Sequence, residues 1–102
     1  MKFPRLKLSL RNSGLFANSH MSYEVDRDRT PNGQPSLSEM SKAAINRLVK
    51  ADNGFFLMIE SGRIDHAHHD NNAYRALDEA VEFDKTIKVR NPTRVPFPGS
   101  DF

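Results

Sequence analysis

The chain contains no cysteine, which excludes disulfide cross-links and thiolate metal ligands alike. It also has no apolar run near the roughly 20 residues that a membrane-crossing helix needs. From Met1 to Leu10, lysine and arginine alternate with apolar residues, so no hydrophobic stretch of the kind found in secretory signals is expected there. Apolar residues are scarce overall, at 37% of 102 residues, and the mean hydropathy is −0.65. A chain of this length forms one domain at most and buries about two-thirds of its unfolded surface. So few apolar side chains leave an independent core near its lower limit.

Net positive charge is missing from the middle of the chain. Residues 1–11 carry four basic and no acidic side chains, residues 12–87 carry eight and twelve, and residues 88–102 carry three and one. The net charge of +2 is therefore an acidic body between two basic ends. Separated basic ends without a basic face or stacking aromatics do not make a nucleic-acid footprint.

What the chain does have is concentrated between Phe55 and Asp70. Phe55-Phe56-Leu57-Met58-Ile59-Glu60 is apolar up to its last residue and does not alternate, which predicts a strand buried on both faces of a parallel sheet. Glu60 falls at the carboxyl end of that strand, where open α/β sheets place their ligands. Ser61-Gly62 reads as a loop, and Asp65, His66, His68, His69 and Asp70 follow within six residues.

Upstream, Ser36 and Glu39 form a Ser-x-x-Glu capping box, and Leu37, Met40, Ala44, Leu48 and Ala51 recur at three- and four-residue steps. Together they predict an amphipathic helix over 36–51, stopped by Asp52-Asn53-Gly54. Downstream, Ala73, Ala76, Leu77, Ala80, Val81 and Ile87 mark a second helix over 72–88, capped by Asp70, Asn71 or Asn72. The segment from Gly14 to Gln34 is polar and lacks a helical period, so it reads as a long surface loop. Leu6 to Leu10 allows a short strand, and the proline-rich stretch from Val89 onward reads as an unstructured tail. Helix, buried strand, loop and helix make part of a parallel α/β layer rather than a closed domain.

Asp65 and His69 are four residues apart, a spacing that brings a carboxylate and an imidazole to one side of a helical turn as ligands for Zn²⁺. Spacing alone leaves two readings open: a metal site, or solvated polar residues near a helix start. His66 and His68 project in other directions on a helix and are weaker candidates.

Residues Gly54 to His69, followed by Ala73 to Asp84, resemble the metal-site block of alkaline phosphatases. The likeness is ungapped there and reaches upstream through Pro35 to Met40 and Gly14 to Glu24, so that residues 14–88 are expected to form a partial domain of that type. Residues 1–13 and 89–102 do not share it and are expected to be unrelated, flexible ends. The resemblance implies a fragment of a parallel-sheet α/β sandwich and a hydrolase of phosphate monoesters that uses Zn²⁺ and Mg²⁺. It implies that Glu60 is a ligand of Mg²⁺ and that Asp65 and His69 hold one of two Zn²⁺ ions. His66 and His68 are then expected to stand behind the ligands or in solvent. The family is usually homodimeric and usually exported.

The departures from the family matter as much. Its nucleophilic serine lies in an Asp-Ser-Ala motif, and no Asp-Ser pair occurs in this chain. The expected Asp-His pair beyond the second helix is absent, and Ala17 and Gln34 stand where calcium-binding members need carboxylates. The expectation is a fragment with part of the metal site, no catalytic nucleophile and no activity alone. The alternatives are a non-enzymatic α/β metal-binding or interaction module, and a complete small enzyme using Ser61, for which no oxyanion donor is at hand.

Overall fold

The computed structural model of the chain describes residues 13–89. The sequence-based strand at Leu6–Leu10 and the tail from residue 90 lie outside the described residues. A 3₁₀ turn, Glu24–Asp26, precedes three helices: α1 (Leu37–Leu48), α2 (Arg63–His69) and α3 (Ala73–Ile87). Helix α3 is the organising element, packing against α1, α2 and the 3₁₀ turn.

Two of the three helix starts, those of α1 and α3, have a side-chain cap. Ser36 caps α1: its hydroxyl accepts from the Glu39 backbone N–H at 3.2 Å, and the Glu39 carboxylate accepts from the Ser36 N–H at 2.7 Å. That bond also holds the Glu39 carboxyl below its usual range. Both halves of the predicted capping box thus form. The helix ends at Leu48 rather than at residue 51, and two turns then lead to Gly54, whose φ of +77° needs a residue without a side chain. Ser36→Ala should lower stability by about 0.5–2 kcal/mol and fray the first turn of α1, read as loss of helical circular dichroism with a lower thermal midpoint. At α3, Asn72 is the cap, its side-chain oxygen accepting from the Arg75 N–H at 3.0 Å.

The expected α/β sheet is not formed. No residue among those described is in a strand, and their only regular elements are helical. Phe55–Glu60 is irregular, and Phe55, Phe56 and Met58 are 44%, 89% and 77% exposed rather than buried. A strand exists only through hydrogen bonds to neighbouring strands. None of the other described segments bonds to the backbone of residues 55–60. An apolar run alone therefore does not make a buried strand in this chain.

The second surprise is which face of α3 is buried. Of the apolar residues that mark the helix, Leu77, Val81 and Ile87 are exposed, as is Tyr74, whereas Ala76 is buried together with Glu79, Glu82 and Thr86. Glu79, Glu82 and Thr86 are each hydrogen-bonded. Glu79 Oε1 accepts from the Glu24 N–H at 2.7 Å, Glu82 Oε1 from the Ser38 N–H at 3.0 Å, and the Thr86 hydroxyl donates to the Glu82 carbonyl at 2.8 Å. These carboxylates bond the backbone at the start of the 3₁₀ turn and at the start of α1, so they fix both onto α3. The apolar core is correspondingly small: Tyr23, Ala67 and Ala76, with Val25 packed against them.

Candidate metal-ligand helix

Helix α2 carries the candidate ligands, and its two faces differ. On the inner face, Ala67 is fully buried and His66 is half-buried, its ring 4.4 Å from that of His20 and its Nδ1 3.4 Å from Arg63 Nη1. On the outer face, Asp65 Oδ2 and His69 Nε2 lie 3.4 Å apart, with side chains 76% and 77% exposed. An exposed pair of this kind contributes little to stability, about 0–1 kcal/mol. Its two polar atoms stay close together and open to solvent.

Several groups outside α2 fix its position. The Tyr23 hydroxyl donates to Asp70 Oδ2 at 2.8 Å, immediately after the helix. The Arg63 guanidinium, at the helix start, stacks 3.7 Å from the centre of the Tyr23 ring, and Arg75 of α3 lies 4.9 Å from the same ring. Burial and the Asp70 carboxylate push the Tyr23 hydroxyl above its ordinary pKa. Arg75 in turn binds Asp26 Oδ2 through Nη2 at 2.7 Å and Nε at 2.9 Å. The segment read as a surface loop therefore contains the tyrosine on which α2 rests. Its burial is produced by tertiary partners on α2 and α3, which a search for helical period in residues 14–34 does not detect.

Glu60 sits apart from the Asp65–His69 pair. It lines a cavity of about 350 Å³ together with His20, Glu24, Arg27, Arg63 and His66, whereas Asp65 and His69 do not border that space. Among the described residues no three His, Asp or Glu side chains form one cluster able to hold a metal ion. The chain thus brings two of the three candidate ligands together and leaves the third on a separate surface. His68 is exposed.

The polar groups missed by sequence reasoning are Glu24, Glu79 and Glu82. Glu24 is buried and bound by Arg27 in a two-pronged contact, Nε to Oε2 at 2.8 Å and Nη2 to Oε1 at 3.1 Å. Burial pushes the Glu79 carboxyl above its usual range, partly offset by the Glu24 N–H. Burial acts the same way on Glu82, but the hydrogen bonds from Ser38 and the nearby Lys85 outweigh it and hold that carboxyl below the usual range. The available signal was the spacing Glu79, Glu82, Thr86, which places a polar stripe on one side of α3 opposite the apolar one.

The chain is 49% identical over 76 residues to the membrane-bound alkaline phosphatase of Bombyx mori, covering 74% of this chain and 14% of the relative. It is 53% and 51% identical over 74 residues to the tissue-nonspecific alkaline phosphatases of Felis catus and Homo sapiens, covering 72% of this chain and 14% of each relative. The chain therefore spans about one seventh of the length of these curated relatives. No solved structure matches it. Residues 7–93 match the Alkaline phosphatase family, and on that extent of match the chain belongs to the alkaline phosphatase family.

Proposed function

We propose that the chain carries part of the metal site of a phosphate-monoester hydrolase, with Asp65 and His69 as ligands for Zn²⁺ and Glu60 as a ligand for Mg²⁺. Residues 14–88 form the alkaline-phosphatase-like part in this reading. The observation that carries it is the convergence of Asp65 Oδ2 and His69 Nε2 at 3.4 Å on the exposed face of α2, in a chain of this family. Asp65 and His69 would hold one of the two Zn²⁺ ions of such a site, which together would supply a two-metal clamp on the attacking and leaving oxygens. The contribution of this chain is to hold a carboxylate and an imidazole in place on a helix whose inner face is fixed by Tyr23 and Ala67.

By this reading the chain alone does not turn over substrate. It has no Asp-Ser pair to supply the nucleophile that the family uses, and the described residues gather no group of three ligands. A second reading, a non-enzymatic interaction module, is favoured by the exposed apolar stripe of α3. Among the described residues no helix is long and apolar enough to cross a membrane.

The test is p-nitrophenyl phosphate hydrolysis by the purified chain with Zn²⁺ and Mg²⁺. The expected rate equals that of buffer with the same ions. Zinc-dependent turnover lost in Asp65→Ala would show that the chain is an enzyme on its own.

A further inference from the structure

Two Asn-Gly pairs occur in the chain, Asn32-Gly33 and Asn53-Gly54, and the structure holds them differently. Asn53-Gly54 lies in the irregular link between α1 and α2, and both residues are exposed. Gly54 has a φ of +77°, and no atom stands within 4 Å of the place a side chain would occupy on it. Its backbone N–H reaches the Ala51 carbonyl at 3.3 Å, just beyond the usual hydrogen-bond range. At Asn32-Gly33 the same groups are confined. The Gly33 N–H donates to the Thr30 carbonyl at 2.9 Å, and the carbonyl and Cβ of Asp28 crowd the space beside Gly33. Asp28 is itself tied into that turn, its carboxylate accepting from the Thr30 N–H at 2.9 Å.

An asparagine side chain is an electrophile, and the backbone nitrogen of a following glycine is a nucleophile with no side chain in its way. We propose that Asn53 is a self-modification site, at which the Gly54 nitrogen displaces the Asn53 side-chain amide. That nitrogen gives its proton to solvent base and bonds to Asn53 Cγ. The Cγ–Nδ2 bond breaks, the released nitrogen takes up a proton and leaves as ammonia, and a five-membered succinimide closes. Water then opens the ring. Attack at Cγ returns an ordinary backbone with aspartate at position 53, and attack at the backbone carbonyl leaves isoaspartate, with an extra methylene in the chain. The sum is amide and water to carboxylate and ammonia, with no redox change and no metal ion. Ring closure needs the Gly54 peptide to swing toward the Asn53 side chain, which open space and a long hydrogen bond permit. The shorter bond and the crowding by Asp28 oppose the same swing at Gly33. Either product sets a new carboxylate beside Asp52, and isoaspartate also lengthens the link to the candidate ligand helix. The site is separate from Glu60, Asp65 and His69 and stands or falls independently of their assignment.

The test is peptide mapping by mass spectrometry of the folded chain, the chain in urea and Asn53→Gln, each held in mildly alkaline buffer and sampled over time. In the folded chain Asn53 is expected to convert about tenfold or more faster than Asn32, the ratio given by a barrier difference of about 1.4 kcal/mol. In urea, where neither turn is held, the two are expected to convert at similar rates. Asn53→Gln, whose longer side chain cannot close the five-membered ring, is expected to keep its amide while Asn32 converts as before. An Asn53 that stays unconverted in the folded chain, or converts no faster than Asn32, overturns the proposal. So does a difference that persists unchanged in urea, which would place its cause in the flanking sequence rather than in the fold.

Discussion

Glu79→Leu and Glu79→Gln should move stability in opposite directions at pH 7. Leucine removes the acceptor of the buried Glu24 N–H, a bond of 2.7 Å, and a buried donor left unpaired costs about 1–3 kcal/mol. Glutamine keeps an acceptor at the same place and removes the desolvated charge, so it stabilises. The pH dependence separates the two effects. Burial raises the Glu79 pKa above its unfolded value, so the folded chain holds more protons than the unfolded one between those values. The Glu79 contribution is therefore fully present below the unfolded pKa and is lost as pH rises through the folded one. Glu82 has the opposite sign: its lowered pKa contributes stability above the unfolded value, lost as pH falls through the folded one. Urea midpoints at several pH values check this. Glu79→Gln should exceed the parent most at neutral pH and converge with it in acid, while Glu79→Leu should lie below the parent at neutral pH.

Ala67→Leu should be as damaging, by steric means. Ala67 has no exposed surface and belongs to a core whose other members are Tyr23 and Ala76, with Val25 beside them. The larger side chain has no free space, and overpacking of this kind costs about 1–3 kcal/mol. Small domains have only about 5–15 kcal/mol in total, and this core is small even among them. The expected result is a lower, broader thermal transition with helix α2 detached from α3, seen as faster amide exchange across residues 63–69. Asp65 and His69 are on the opposite face and remain chemically intact.

The parts of this structure that were legible in the sequence are those governed by local chemistry. Ser36 with Glu39, and Asn72 before α3, mark helix starts because a cap acts within one turn. The Asp65–His69 pair was legible for the same reason, since residues four apart share a helix face. The failures are non-local. Phe55–Glu60 has the composition of a buried strand, but a strand's state depends on partners that its own residues do not encode. The apolar residues that mark α3 do not show that Glu79 and Glu82 are turned inward, because that follows from their carboxylates bonding the backbone of Glu24 and Ser38. Tyr23, in a segment without period, became a support of the ligand helix through contacts with Arg63 and Asp70, 40 and 47 positions away. Glu60, which the family resemblance assigns to a different ion from Asp65 and His69, lines a cavity that those two residues do not border.

The central claim is that Asp65 and His69 bind zinc together. Calorimetric titration of Zn²⁺ into the chain, with nuclear magnetic resonance of its histidine rings, tests that most directly. Binding is expected to shift the His69 ring far more than those of His20, His66 and His68, and to be lost in both Asp65→Ala and His69→Ala. Zinc binding that persists in both variants, or no binding by the parent chain, would contradict the account.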